Sequence, residues 1–109
     1  PPRALRHFPI PTQIEFHDES ASSRTQLALV CADRPGLLAG VAEVFRAGNI
    51  RVHDARIATF GERVEDFFLI TDQANRPLDV PAQEALRGAL AHCVNVIVST
   101  APEGMYVIA

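Results

Sequence analysis

The chain has 109 residues, 48% of them hydrophobic and 21% charged, which fits one globular domain and excludes two independent cores. A chain of this size buries roughly two-thirds of its unfolded surface, enough for a core without disulfides or a metal. Ten Lys and Arg against thirteen Asp and Glu give a net charge of −3 with no basic stripe, so a phosphate-tracking surface for DNA or RNA is not expected.

Pro1 to Pro11 is proline-rich and has neither helical nor strand period, which predicts an extended linker. Thr12 to His17 alternates, with Ile14 and Phe16 on one side and Gln13, Glu15 and His17 on the other, which predicts a short entry strand. The polar stretch Asp18 to Ser23 sets it apart from the main body. Thr25 to Ala32 is apolar on both faces, as in a covered central strand, and stops at Asp33-Arg34-Pro35-Gly36. Pro35 suits a first helical turn, and Leu37, Leu38, Val41, Val44 and Phe45 follow at helical spacing, so a helix is expected from about Pro35 to Ala47. Gly48-Asn49 closes it, because both residues tolerate the left-handed backbone of a helix end.

Ile50 to Phe60 reads as a strand with Ala55, Ile57 and Thr59 inward and Asp54 and Arg56 outward. After a turn at Gly61-Glu62-Arg63, Val64 to Thr71 returns as its hairpin partner, and Phe67 to Ile70 offer apolar groups to both faces. Pro81 opens a second helix, whose Ala82, Ala85, Leu86, Ala89, Leu90 and Cys93 repeat as a buried stripe up to about His92. Val94 to Val98 reads as a closing strand, and Thr100 to Ala109 carries no clear signal. This order predicts an α+β fold, a ferredoxin-like βαββαβ sandwich with an antiparallel sheet and both helices on one face. The bare face, with Phe67 or Phe68, is expected to meet another copy or another domain.

No apolar run approaches the ~20 residues that cross a bilayer, so no membrane partner is expected. The opening Pro1-Pro2-Arg3-Ala4 has no starting Met and no signal pattern, which reads as a soluble piece of a longer chain. Cys31 and Cys93 are too few and too far apart for a disulfide framework or a zinc site, and they read as packing residues in a reducing compartment. Ser20, Ser22 and Ser23 lack a nucleophile elbow, and the histidines at 7, 17, 53 and 92 are scattered, so no catalytic triad is expected. Asp54, Glu62, Glu65 and Asp66 form an acidic cluster without calcium-loop spacing, and a solvated surface paired with Arg56 and Arg63 is the expected account.

The segment Asp33-Arg34-Pro35-Gly36-Leu37-Leu38 carries the most chemistry. A strand feeds directly into a helix, whose first-turn N–H groups can hold a carboxylate. Gly36 lets a ligand approach the backbone, and Asp33 can pair with an ammonium. The same residues also fit a plain helix cap by Asp33 with a solvated Arg34.

Asp33-Arg34-Pro35-Gly36-Leu37-Leu38, Val44-Phe45 and the strand after Gly48-Asn49 resemble the ACT domain, a ferredoxin-like module that senses amino acids. The run from Ala55 to Asp66, the Phe-rich strand after it and Pro11-Thr12-Gln13-Ile14-Glu15-Phe16 are similar to the last ACT domain of the bifunctional uridylyltransferase/uridylyl-removing enzymes. The resemblance implies an entry segment over 1–23, an ACT domain over 24–99 and a tail of unclear role over 100–109. It implies a regulatory domain and not an enzyme, since His17-Asp18 and His53-Asp54 lack the helical scaffold of the parent's hydrolase. No cofactor is implied for this fragment, whereas the parent enzyme would use Mg2+. The implied partners are glutamine as effector, another ACT domain or a homodimer, and the PII signal protein through the parent, all in the cytoplasm. The implied ligand site is Asp33, Arg34, Pro35, Gly36, Leu37 and Leu38, with Arg51 in the register of a residue contributed across a dimer. The alternative is a structural docking domain that binds no ligand.

Overall fold

The computed structural model describes residues 10–19, 21 and 23–99. Most of the expected linker, with Ser20, Ser22 and the tail from Thr100 to Ala109, lies outside them. The described elements are β1 (Gln13–Glu19), β2 (Arg24–Ala32), α1 (Leu37–Ala47), β3 (Arg51–Phe60), β4 (Arg63–Thr71) and α2 (Val80–Ser99). The strands form one antiparallel sheet in the order β1-β2-β4-β3.

Alternation along the two central strands decides which face is covered. In β2 Thr25, Leu27, Leu29 and Cys31 are buried, and in β4 Val64, Asp66, Phe68 and Ile70 are buried. Against this face α1 lays Leu37, Val41 and Phe45, and α2 lays Leu86, Leu90 and Val94. The Phe45 and Phe68 rings meet edge to face at 5.1 Å, a favourable arrangement of their quadrupoles. The α+β ferredoxin-like sandwich with both helices on one face is therefore the fold found.

Three local expectations change. Val94 to Val98 is not a strand, because α2 continues through Ser99 and Val94 extends the buried Leu86-Leu90 stripe by one more turn. The sheet edge beside β2 is taken instead by β1, with Ile14 opposite Leu29 and Phe16 opposite Leu27. The Arg87 guanidinium seats this strand: it stacks over the Phe16 ring at 5.1 Å and donates to the Ile14 carbonyl. Finally, the α2 stripe narrows, since Ala85 and Ala89 are exposed.

The helix ends follow from local chemistry. The Ala82 N–H donates to Asp79 Oδ1 at 2.9 Å and the Gln83 N–H to the Asp79 carbonyl at 2.9 Å, which caps α2. At the end of α1, Asn49 takes the left-handed backbone with φ 57°. The Gly48, Asn49 and Ile50 N–H groups then satisfy the carbonyls of Val44, Arg46 and Phe45.

β3 is the free edge. Its Ala55, Ile57 and Thr59 lie opposite Phe68, Asp66 and Val64, which places them on the helix-covered side. All three are nevertheless exposed, because the helices do not reach across this edge. On the open face Phe67 is 42% exposed.

Candidate functional site

The passage from β2 into α1 is where the site is built. The Asp33 N–H donates to the Glu62 carbonyl at 2.8 Å, which ties the loop to the β3–β4 turn. The Leu37 N–H donates to the Arg34 carbonyl at 3.1 Å and the Gly40 N–H to the Gly36 carbonyl at 2.9 Å. The first-turn N–H groups of Leu38 and Ala39 are left without a helical acceptor.

The helix begins at Leu37, not at Pro35, because Gly36 occupies the cap with φ 82°, outside the helical range. No side chain caps it, so the plain cap reading of Asp33 does not hold. A Cβ at Gly36 would meet no atom within 4 Å, yet its backbone is left-handed. Gly36→Ala is therefore expected to cost about 1–2 kcal/mol through backbone strain alone, read as a lower unfolding midpoint in urea with an unchanged slope.

Between this loop and the edge of the sheet lies a cavity of about 270 Å³, lined by Asp33, Arg34 and Gly36 to Ala39 on one side and by Ile57, Thr59, Val64 and Asp66 on the other. It falls just below the ~300–1,000 Å³ of drug-sized sites, which suits a small metabolite better than a nucleotide. A larger hollow of about 510 Å³ separates the helices, but its walls are mainly Ala, Val, Leu and Ile side chains with little to orient a polar ligand.

Asp33, Arg34, Gly36, Leu37 and Leu38 all line the first cavity, and Pro35 sits exposed in the same loop. Arg34 turns its guanidinium onto the Asp33 carbonyl at 3.1 Å. Arg51 is elsewhere. It starts β3, nine residues from Phe60 and so ~30 Å of strand away, where it donates to Asn75 Oδ1 at 3.1 Å and to the Gln73 carbonyl at 3.4 Å.

The acidic cluster divides between the two faces of the sheet. Glu65 pairs with Arg63 at 2.8 Å on the open side. Asp66 is not solvated: it is only 2% exposed, and its Oδ1 has no hydrogen-bond partner among the described residues. Burial pushes its carboxyl above the ordinary 3.8, partly offset by the Ala58 backbone N–H, and nearby Asp33 adds to the rise.

A carboxyl whose pKa is raised by folding favours the native state when protonated. That advantage is present below 3.8 and is lost as pH rises through the native value. Asp66→Leu is accordingly expected to stabilise the ligand-free chain by about 1–3 kcal/mol at about pH 7, with a smaller gain at about pH 3. Thermal melts across that range check both the sign and the trend.

The thiols stand apart from this chemistry. Burial is the main cause that pushes Cys31 up to about 11 and also raises Cys93, so both are poor nucleophiles at neutral pH. Among the described residues no three His, Cys, Asp or Glu side chains come together as a metal site, and no helix is long and apolar enough to cross a membrane.

Comparison with known proteins agrees with this geometry. The sequence profile of the ACT domain family matches residues 25–88, from β2 into α2 and across the whole candidate loop. The chain belongs to the ACT domain family. This ACT domain is 54% identical over 96 residues to a bifunctional uridylyltransferase/uridylyl-removing enzyme of Xanthomonas euvesicatoria pv. vesicatoria (strain 85-10), covering 88% of the chain and 11% of that protein. A counterpart from Xanthomonas campestris pv. campestris (strain B100) is 55% identical over 94 residues, covering 86% of the chain and 11% of the relative. One from Methylococcus capsulatus (strain ATCC 33009 / NCIMB 11132 / Bath) is 47% identical over 83 residues, covering 76% and 10%. The chain thus spans about a tenth of the length of these relatives.

Asp66 is the cavity residue that reading by charge alone assigns to the surface. The signal was present in the strand period, since Val64, Phe68 and Ile70 put position 66 on the buried face of β4.

Proposed function

We propose that this ACT domain is a glutamine-sensing regulatory module of a uridylyltransferase/uridylyl-removing enzyme that controls the PII signal protein in the cytoplasm. The observation that supports it is the cavity at the start of α1, which Asp33, Leu38 and Ala39 line together. Backbone donors there suit the α-carboxylate of a free amino acid, and Asp33 suits its α-ammonium. The Mg2+ of such an enzyme would belong to its catalytic domains, since the described residues do not fit a metal site.

The site would be completed by a second copy. β3 is exposed along nearly all of its length, and two strands related by a two-fold axis pair antiparallel. In that pairing the partner's Arg51 approaches the Phe60 end of this chain, beside the Asp33 loop. Calorimetry with glutamine on the dimeric 109-residue chain tests the proposal, with glutamate as the control. Absence of heat and of a melting shift with both ligands would favour docking without a ligand. The specific observation for that second reading is the apolar surface along the β3–β4 hairpin, where Phe60 is 55% and Ile57 47% exposed.

A further inference from the structure

We propose that Asp66 is the specificity residue of the ACT site, accepting an N–H from the carboxamide of a bound glutamine and rejecting the carboxylate of glutamate. This rests on the amino-acid-binding reading of the loop and assigns the deep end of the same cavity. Three observations carry it. Asp66 is 2% exposed and lines the cavity, and its Oδ1 has no partner among the described residues. A buried carboxylate with an oxygen unmatched among the described residues, on a residue that lines a cavity, is an acceptor suited to a donor from a ligand.

The second observation is the charge around it. Arg34 is the cation on the cavity wall, and its guanidinium is turned onto the Asp33 carbonyl at 3.1 Å. The remaining ionisable wall residue is Asp33, which raises the Asp66 carboxyl further. The deep end of the cavity is therefore negative, and a second carboxylate placed there meets repulsion and leaves Asp66 Oδ1 unmatched.

The third is distance. The Asp33 N–H is held by the Glu62 carbonyl, and Asp66 lies four residues farther on in the chain. Four residues are ~13 Å of strand. A ligand whose main-chain groups are anchored at Asp33 and at the Leu38 and Ala39 N–H groups reaches Asp66 only with the far end of an extended side chain. A terminal carboxamide brings two N–H donors to that point, whereas the isosteric carboxylate brings none. Sites that hydrogen-bond a ligand group discriminate strongly against the analogue lacking it, because the buried partner is left unpaired.

The test is calorimetry on the 109-residue chain with glutamine and with glutamate, for the wild type, Asp66→Asn and Asp33→Ala. The wild type is expected to bind glutamine about tenfold or more tighter than glutamate. In Asp66→Asn the ratio should collapse toward unity, since the new amide offers a donor to the glutamate carboxylate. Asp33→Ala should weaken both ligands and leave glutamine the tighter of the two. If Asp66→Asn does not fold by its melting profile, Asp66→Ser gives the same reading. An unchanged ratio at position 66 with glutamine binding intact overturns the assignment of Asp66 and leaves the amino-acid site standing. Binding of neither ligand by the wild type overturns the site and this assignment together.

Discussion

Asp33→Ala is expected to lower glutamine affinity by about ten- to hundredfold while leaving the fold intact. The carboxylate is exposed at the loop and makes no cap bond to α1, so the native state does not depend on it. Its proposed partner is the ligand's ammonium, and a charge-assisted bond of this kind contributes roughly 1.5–3 kcal/mol. The conversion is about one to two decades in the dissociation constant. Titration calorimetry measures the affinity, and a melt without ligand supplies the control. Saturating glutamine at about 100 times its dissociation constant should also stabilise the wild type by about 2.7 kcal/mol, a shift that the variant loses at the same concentration. Equal glutamine affinity in the wild type and the variant would remove Asp33 from the site.

Leu90→Ala is expected to cost the domain about 3–5 kcal/mol, the largest effect foreseen for stability. Leu90 is 0% exposed in the middle of α2, on the stripe with Leu86 and Val94 that packs in the core with Leu27, Leu29 and Phe68. Truncation removes buried methyl groups and leaves a void that neighbours from both helices and the sheet cannot close without moving together. Against the ~5–15 kcal/mol of a typical domain, such a loss leaves little reserve. Urea unfolding of both proteins measures it, provided the slopes match. A loss below about 1 kcal/mol would mean that α2 is not part of the cooperative core.

These two changes separate binding from folding. Asp33 stands on the loop that faces the ligand, whereas Leu90 is remote in sequence and holds the layer on which that loop rests. Asp66 is the intermediate case, a buried charge whose cost in the ligand-free state is the counterpart of its proposed use in recognition.

Thr25 to Ala32 was legible as a strand from its apolar run, and only the structure shows that one of its faces is buried and the other partly buried. Periodicity by itself determined the two helices and the β3–β4 hairpin, because the burial of alternate or every third or fourth residue is a local property of each element. The Asp33 to Leu38 loop was legible for the same reason: a strand running into a helix, with Pro35 and Gly36 between them, creates a local donor set wherever it occurs. What chain supplies the sheet edge beside β2 is not local. Val94 to Val98 has the composition of a strand, yet α2 continues through it because Val94 packs in line with Leu86 and Leu90, and β1 fills the edge through Ile14, Phe16 and Arg87. Asp66 was decided in the same way. Its charge points to the surface and its register in β4 points to the core, and only the packing of α1 over that face made the register prevail and set Asp66, with one carboxylate oxygen unpartnered among the described residues, in the lining of the cavity.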